Sequence, residues 1–456
     1  MQFKDISWSK DFNLIFALVS LIFVIYFTCI EINNTYLALR LANGLPTASL
    51  IGTLGILLLS LYIQARTFTI CFFSYAFDIS KRNSKPPQED ENHTDEYLSV
   101  IIPAFNESKN ITPTLQSVID SGHTDLEILV VDDGSTDSTS TAVNHFISEN
   151  PHCQIKLIQK INTGKWDAIN HGINQSSYDL ILIIDADSRV KKNAISNGIQ
   201  ALKKYNADVV CGHVAVRNHQ SAIGKLQGLE YALTNCFRRR AQSFFNGVLI
   251  VPGPFGLYKK KVLSEISLYN NSQVKVNDSG PVSGDTFAED CDLTVNALCL
   301  GFKVHYESTA TVLTKAPSNL LDLANQRYRW NRGHMQVSKK YIRSIWKASI
   351  PVPFSVFLWL INTLFIDSLL LPSLFLAGTA TGFFLLLSGS VGQFLPQLAL
   401  TMLGIEFNLA MYCISCENEP SSYLKYSPLL PFYRIILTFS WVAAAIDEAR
   451  SKKMTW

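Results

Sequence analysis

The chain has 456 residues, of which 48% are hydrophobic and 17% are charged, and its 39 Lys and Arg against 37 Asp and Glu give a formal net charge of +2. Soluble domains carry roughly 25% charged residues, so this deficit argues against a purely soluble enzyme and against a disordered or fibrous chain. The near-neutral balance shows no basic excess and gives no reason to expect a nucleic-acid partner.

Two long uncharged segments lie near the N-terminus. Phe12 to Ile30 holds no charged residue over 19 positions, and Leu41 to Ala65 holds none over 25, whereas a membrane helix needs about 20 apolar residues. The first segment is longer than a signal-peptide core and lacks a small-residue cleavage site, so it is expected to be retained. Residues 1–77 are therefore predicted to form two transmembrane helices, and the polar stretch 78–97 is predicted to be a linker.

Short apolar runs then alternate with longer amphipathic segments. The runs cover 98–102, 126–131, 155–159 and 179–184. This alternation of strand-length and helix-length segments predicts an α/β fold with a parallel sheet. In such sheets, ligands bind beyond the carboxyl ends of the strands. No GxGxxG or Walker sequence follows a strand, so the phosphate loops of Rossmann and P-loop proteins are missing.

Acidic side chains follow three of these runs, with Glu107 after 98–102, Asp132 and Asp133 after 126–131, and Asp185 and Asp187 after 179–184. Asp185 and Asp187 are separated by one residue, so at an extended strand end they point to the same side and could share Mg²⁺ or Mn²⁺; the alternative is a solvated turn. Asp133 could accept a hydrogen bond from a nucleobase or ribose, or it could cap the helix that begins near Ser135. Asp132 suits that cap equally well.

Three further segments carry groups that suit transfer chemistry. Lys165, in the sequence NTGK, could stabilise the charge of a diphosphate. The acids of residues 287–293 serve either a helix N-terminus or general-base catalysis. Gln326, Arg329 and Trp330 are spaced to share one helical face, where they could bind a sugar hydroxyl, a phosphate and a sugar ring. The alternative for this last segment is an amphipathic helix at the membrane surface.

The C-terminal region is again strongly apolar. Pro351 to Ser415 holds only two charged residues, Asp367 and Glu406, over 65 positions, which suits membrane helices. The last apolar segment, Leu429 to Ile446, contains Arg434 and is either interfacial or spanning. The predicted boundaries are 98–316 for the soluble domain, 317–350 for interfacial helices, 351–446 for transmembrane or interfacial helices and 447–456 for a polar tail.

Six motifs in order, PAFNE, DDGSTD, NTGK, DAD, AED and QRYRW, resemble those of the processive family 2 glycosyltransferases, the group of cellulose, chitin, hyaluronan and poly-N-acetylglucosamine synthases. The resemblance covers about residues 98–345 and the flanking membrane pattern. It implies a GT-A-like α/β domain with a mixed, mainly parallel sheet, inserted between membrane helices. It also implies inverting transfer from a UDP-sugar, with UDP-N-acetylglucosamine the best candidate, to a growing β-linked polysaccharide that is exported across the bilayer. The alternative is a non-processive transferase with a lipid acceptor.

The resemblance also assigns roles to single residues. Asp290 would be the general base, and Asp185 and Asp187 would hold Mg²⁺ or Mn²⁺. The nucleotide-sugar would contact Phe105, Glu107, Asp133, Lys165, Asp185 and Arg329, and the acceptor would contact Gln326, Trp330, Gly253 and Pro254. The implied location is the cell membrane, with several spans and a cytosolic catalytic domain; accessory subunits are left unidentified.

Two features depart from the family pattern. Trp166 follows the NTGK lysine, where a smaller or basic residue is expected, and residues 268–284 form a polar insertion before the acidic motif. Neither departure is expected to touch the core set of site residues.

Overall fold

The computed structural model describes residues 62, 65–81, 96–273, 280–346, 352–374, 376, 410 and 421–453. The first predicted membrane helix, most of the second, most of the linker and the apolar stretch 377–409 lie outside the described residues.

A mixed eight-stranded sheet lies at the centre of the fold, between residues 98 and 314. Its strands lie in the order β3-β2-β1-β4-β7-β6-β8-β5. β1 to β4 pair in parallel, β7 is antiparallel to both β4 and β6, and β8 is parallel to β6 and antiparallel to β5. The carboxyl ends of β1, β2, β4 and β6 therefore lie at the same edge of the sheet, called the carboxyl rim below. The strands are β1 Leu98–Ala104, β2 Leu126–Asp132, β3 Gln154–Gln159, β4 Leu180–Ile183, β5 Arg189–Val190, β6 Val209–Val216, β7 Gly256–Lys259 and β8 Val304–Thr314.

The four predicted apolar runs are confirmed as β1 to β4. All seven residues of β1 are buried, because this central strand is covered on both faces. Ile101 packs into the core on one face of the sheet, whereas Val100 and Ile102 pack into the core on the other, as the alternation of side chains along a strand requires. Edge strand β3 alternates between exposed and half-buried residues.

Helices pack against both faces and extend toward the C-terminus. In the described residues they are α1 at 65–81, then α2 Ile111–Ile119, α3 Thr139–Glu149, α4 Lys165–Gln175, α5 Ala194–Lys204, α6 Ala222–Leu233, α7 Arg240–Ser243, α8 Lys260–Gln273, α9 Glu289–Cys299, α10 Leu320–Trp346, α11 Phe354–Ile361 and α12 Leu430–Ala449. The π-helical segments Thr234–Arg239 and Asn362–Leu370 continue α6 and α11, and a 3-10 segment, Ser421–Leu429, precedes α12.

Within the part of the chain that the structure describes, two helical stretches are long and apolar enough to cross a membrane, Phe354–Leu374 and Tyr423–Ala449. The second contains the segment for which the sequence left spanning and interfacial positions open. Its Phe432, Ile436 and Phe439 are 63%, 40% and 70% exposed and lie on one face of α12 by their spacing. Exposed apolar surface of this kind is what a bilayer would cover.

An ion cluster joins the first of these stretches to the soluble domain. Asp367, on the π-helical segment after α11, lies 2.7 Å from Arg66 of α1 and 3.0 Å from Arg238 of the segment after α6. An acid in an apolar helix needs such partners, because an unpaired buried charge is costly.

Candidate active site

Lys165 lies where three elements meet at the carboxyl rim of the sheet. It begins α4, and its Nζ lies 2.7 Å from Oδ1 of Asp185, which follows β4, and 3.0 Å from Oε1 of Glu289, which begins α9. Burial alone would lower the pKa of Lys165, but the carboxylates of Asp185 and Glu289 raise it well above its usual value. The ammonium is therefore charged and available to an anionic ligand.

Gly253 brings a loop backbone directly against this ion pair. A Cβ atom at position 253 would lie 2.7 and 2.8 Å from the two carboxylate oxygens of Asp185 and 2.8 Å from Nζ of Lys165. Only glycine allows this close approach. The predicted acceptor-loop residue Gly253, with Pro254 next to it, therefore lies beside the predicted donor residues.

Asp290 is the second residue of α9 and lines the same cavity as Lys165, Gly253 and Glu289. Its Oδ1 accepts a hydrogen bond of 2.7 Å from the backbone N–H of Cys291. Burial raises the pKa of Asp290 to about 7, and the neighbouring Glu289 carboxylate adds to this effect while Lys165 opposes it. A carboxylate with a pKa near the working pH is suited to general-base catalysis.

Asp187 carries the features expected of a cation ligand. Burial raises its pKa to about 6, with the carboxylates of Asp185 and Glu107 adding to the effect, and in the described part of the chain its side chain accepts no hydrogen bond. Acidic side chains that influence one another in this way are the ligand type that a hard divalent cation prefers.

The protein does not supply a complete metal cage among its described residues. No group of three or more His, Cys, Asp or Glu side chains in the ranges given above is arranged to hold a metal ion. A cation held by Asp185 and Asp187 would therefore take its other ligands from water and from substrate phosphates, which is usual for Mg²⁺.

Asp133 orients the loop that precedes Lys165. Its carboxylate accepts hydrogen bonds from the backbone N–H groups of Thr163 (3.1 Å) and Gly164 (2.8 Å) and lies 2.5 Å from Nζ of Lys160. The interpretation of Asp133 as a helix cap is wrong, because its oxygens face this loop. Lys160 belongs to none of the sequence motifs, so nothing in the sequence marks it as part of the site.

The adjacent residue, Asp132, does not cap this helix either: it accepts a hydrogen bond of 2.9 Å from the backbone N–H of Ser135 in the turn before α3, whose N-cap residue is Ser138. The same turn is bound to the loop after β1. Asn106 donates its backbone N–H to Oγ of Ser135 (2.9 Å) and accepts one from the backbone of Thr136 (2.8 Å). Phe105 in that loop is 47% exposed, so its ring is accessible at the rim.

The QRYRW segment lies on α10. Arg329 and Trp330 are exposed, and the side-chain oxygen of Gln326 is buried without a hydrogen-bond partner among the described residues. Arg327, which the motif pattern does not single out, is buried; its guanidinium stacks 4.3 Å from the Trp330 ring and donates to Glu230 at 2.6 Å. Arg327 therefore supports the indole that is predicted to bind the acceptor.

Helix α10 packs onto the segment that carries Asp290. A Cβ atom at Gly333 would lie 2.6 Å from Cβ of Ala288, and Lys340 lies 3.0 Å from the fully buried carboxylate of Asp292. These contacts fix the QRYRW helix relative to the acidic motif.

The insertion contacts the site, so the expectation that it would not is wrong, and it does so beside the other departure, Trp166. A Cβ atom at Gly284 would lie 2.5 Å from the Trp166 ring, which shows that the end of the insertion packs on that ring. Val282 lines the cavity that contains Lys165 and Asp290. The bulky Trp166 thus has a partner in the inserted segment, which folds back over α4.

Comparisons with known proteins show which proteins the chain is similar to. Residues 99–267 match the family model for glycosyl transferase family 2. The chain is 25% identical over 258 residues to a poly-β-1,6-N-acetyl-D-glucosamine synthase of Staphylococcus epidermidis, covering 56% of this chain and 58% of that protein. It is 26% identical over 303 residues to the synthase of the same name in Staphylococcus aureus strain COL, covering 66% and 69%. The chain thus matches less than two thirds of the first relative's length.

The fold also has a solved counterpart. The structure of a mannosyltransferase from Pyrobaculum calidifontis in complex with GDP-mannose and Mn²⁺ superposes with a TM-score of 0.57 at 18% identity, covering 87% of this chain and 99% of that one. The likeness confirms the GT-A-like α/β fold with a mixed sheet. Residues 99–267 therefore form a glycosyltransferase family 2 domain, and the chain is homologous to the poly-β-1,6-N-acetylglucosamine synthases.

Proposed function

We propose that this chain is a membrane-embedded, inverting glycosyltransferase that polymerises a β-linked polysaccharide from UDP-N-acetylglucosamine. The observation that carries the proposal is the convergence of Lys165, Gly253 and Asp290 on one cavity at the carboxyl rim of the sheet, with Asp185 2.7 Å from Lys165. The names of the two staphylococcal relatives support the choice of sugar.

The donor nucleotide would bind along the rim. The exposed Phe105 would stack on the uracil, and Asp133 and Glu107 would lie nearby. Lys165 and Arg329 would face the diphosphate, where fixed positive groups stabilise the charge that develops on the leaving UDP. Asp185 and Asp187 would hold Mg²⁺ or Mn²⁺, which when bound neutralises part of that charge.

Asp290 would act as the general base. Its carboxylate removes the proton from the acceptor hydroxyl, whose oxygen attacks the anomeric carbon of the α-linked donor while the bond to UDP breaks. A single displacement of this kind inverts the configuration and gives a β-linked product. Trp330, held by Arg327, would support the acceptor ring, and Gln326, Gly253 and Pro254 would contact its hydroxyl groups.

The growing polymer would leave through the membrane region. Helix α10 connects the two parts, since Gly333 contacts Ala288 beside the site and Arg332 lies 3.2 Å from Glu448 of α12. The two apolar stretches support a position in the cell membrane, with the catalytic domain in the cytosol, where UDP-sugars are made. Accessory subunits are not identified by any of these contacts.

The test uses the purified full chain in detergent with Mg²⁺ or Mn²⁺ and either UDP-N-acetylglucosamine or UDP-glucose. UDP release and product length are measured, with Asp290→Asn as the inactive control. Long product from UDP-N-acetylglucosamine is expected. A product of one or two added sugars would instead indicate the non-processive transferase with a lipid acceptor, and a long glucan would contradict the assigned sugar.

A further inference from the structure

The cavity that holds the reacting groups has an apolar wall as well as a charged edge. Lys165, Glu289 and Asp290 form the edge, and five aliphatic side chains line the remainder together with Pro252, Gly253, Gly256 and Tyr258. The five aliphatic residues are Ile169, Ile183, Val251, Val282 and Leu293. Four of these five come from elements of the family domain or from α9, but Val282 comes from the segment 280–284, at the end of the insertion that departs from the family pattern.

The segment 280–284 is held in place by two residues of α4, Asn170 and Trp166, of which Asn170 forms hydrogen bonds. The side-chain amide of Asn170 donates to the carbonyl of Val282 at 2.8 Å and accepts from its backbone N–H at 3.0 Å. This pair of hydrogen bonds satisfies both backbone groups of Val282, much as a neighbouring strand would. Since Asn170 is itself buried, the position of Val282 is fixed.

Glycines on either side of Val282 make this contact possible. A Cβ atom at Gly280 would lie 2.3 Å from the Asn170 side chain, and one at Gly284 would lie 2.5 Å from the Trp166 ring. Relieving either clash would require the segment or the α4 side chain that it meets to move. Trp166, Asn170 and the two glycines together hold the Val282 side chain at the cavity.

We propose that Val282 is a specificity-determining residue for the donor sugar, whose 2-acetamido methyl group packs against its side chain, and that Asn170 is its positioning residue. The inference rests on the proposed function, because it assumes a UDP-sugar in this cavity. A methyl group gains from contact with an apolar wall. A sugar hydroxyl at the same place would lose its hydrogen bonds to water without finding a partner.

The size of the effect follows from what one apolar group contributes to discrimination. A single methylene in a hydrophobic pocket changes kcat/KM by roughly 10- to 200-fold. The ratio of kcat/KM for UDP-N-acetylglucosamine to that for UDP-glucose should therefore fall about tenfold when Val282 loses its apolar contact.

The experiment measures this ratio by UDP release from the full chain in Val282→Ala and Val282→Thr. The threonine variant keeps the shape of valine but replaces one methyl group with a hydroxyl group, so it tests polarity without creating a cavity. Val262→Ala is the matched control, because Val262 is equally buried in the same core but does not line the cavity. Both Val282 variants should lower the ratio, and the control should leave it unchanged.

Each alternative result has a distinct meaning. Wild-type protein that uses neither donor would contradict the proposed function. An active wild type with the same ratio in the Val282 variants, or an equal loss for both donors, would overturn the inference and leave the proposed function standing. Asn170→Ala should lower the ratio as Val282→Ala does; a loss that is equal for both donors would contradict its positioning role.

Discussion

The ammonium of Lys165 lies 2.7 Å from the carboxylate of Asp185 and 3.0 Å from the carboxylate of Glu289. One cation thus serves two carboxylates, and Asp187 and Asp290 add two more acids to the same rim. An anionic diphosphate would be repelled by this excess of negative charge unless a divalent cation accompanied it. The charge balance of the site therefore agrees with metal-dependent transfer.

Metal binding should weaken as the pH falls through the pKa of Asp187. This pKa is raised to about 6, and a protonated carboxyl group does not ligate a cation. Below pH 6 the Kd for Mn²⁺ should rise by about tenfold per pH unit. This Kd can be measured from the electron paramagnetic resonance signal of free Mn²⁺.

Asp187→Asn should bind Mn²⁺ weakly at every pH between 5 and 8, whereas Asp120→Asn, at the exposed end of α2, should match the wild type. An Mn²⁺ affinity that does not change between pH 5 and 8 in the wild-type protein would contradict the assignment of Asp187.

Loss of the Lys165 charge should change both the rate and its pH dependence. Lys165 lowers the pKa of Asp290, so Lys165→Gln should move the rise of kcat/KM with pH from about 7 to a higher value. The rate at neutral pH should fall by about 10²- to 10³-fold, since a fixed electrostatic group is lost.

The matched variant is Lys165→Arg, which keeps the charge. It should retain the pH midpoint near that of the wild type even if its rate is reduced. If Lys165→Gln and Lys165→Arg show the same midpoint, the ammonium does not tune Asp290.

Gly253→Ala should inactivate the enzyme without unfolding it. The added methyl group would lie 2.7 to 2.8 Å from Asp185 and Lys165, so the loop or the ion pair must move. A displacement of this size at reacting groups can reduce the rate by about 10²-fold. Wild-type UDP release by this variant, at an unchanged melting temperature, would show that the loop is not part of the site.

Glu230→Gln should reduce stability and polymer formation together. Glu230 accepts from Arg327 at 2.6 Å and from the hydroxyl of Tyr433 on α12 at 2.8 Å. Loss of a hydrogen-bonded charge of this kind costs about 1.5 to 3 kcal/mol, and the support of Trp330 by Arg327 would weaken.

The control for this variant is Glu265→Gln, which removes an exposed i, i+4 pair with Lys261 at 3.6 Å. Such pairs contribute only about 0.3 to 0.5 kcal/mol to the free energy of unfolding. Equal melting temperatures and equal product lengths for Glu230→Gln and Glu265→Gln would argue against the role of Glu230.

The amino-acid pattern is sufficient to predict the strands and the acids that follow them. Continuous apolar runs such as 98–102 indicate strands covered on both faces, and parallel strands bring their carboxyl ends to one rim. The positions of Asp185 and Lys165 at the same rim follow from this pattern alone. Asp290 requires the family resemblance in addition, because an acid at a helix N-terminus is otherwise ordinary.

Long-range contacts between segments without a periodic pattern do not follow from the sequence. The hydrogen bonds of Asp133 to the loop before Lys165 depend on how two strands align. Gly284 packs on Trp166, although the two residues are more than a hundred positions apart. In the sequence, Trp166 and the insertion that contains Gly284 are two unrelated departures from the family pattern. Arg327 carries no signal either, since a single arginine on an amphipathic helix is usually solvated.

The most direct test of the account is a comparison of UDP binding and UDP release in the wild type and in Asp290→Asn. If Asp290 is the general base, the variant should bind UDP with Mn²⁺ as tightly as the wild type but release UDP from UDP-N-acetylglucosamine at least about 10²-fold more slowly. Comparable rates of release in the two proteins, at equal UDP affinity, would contradict the central claim that this carboxylate activates the acceptor.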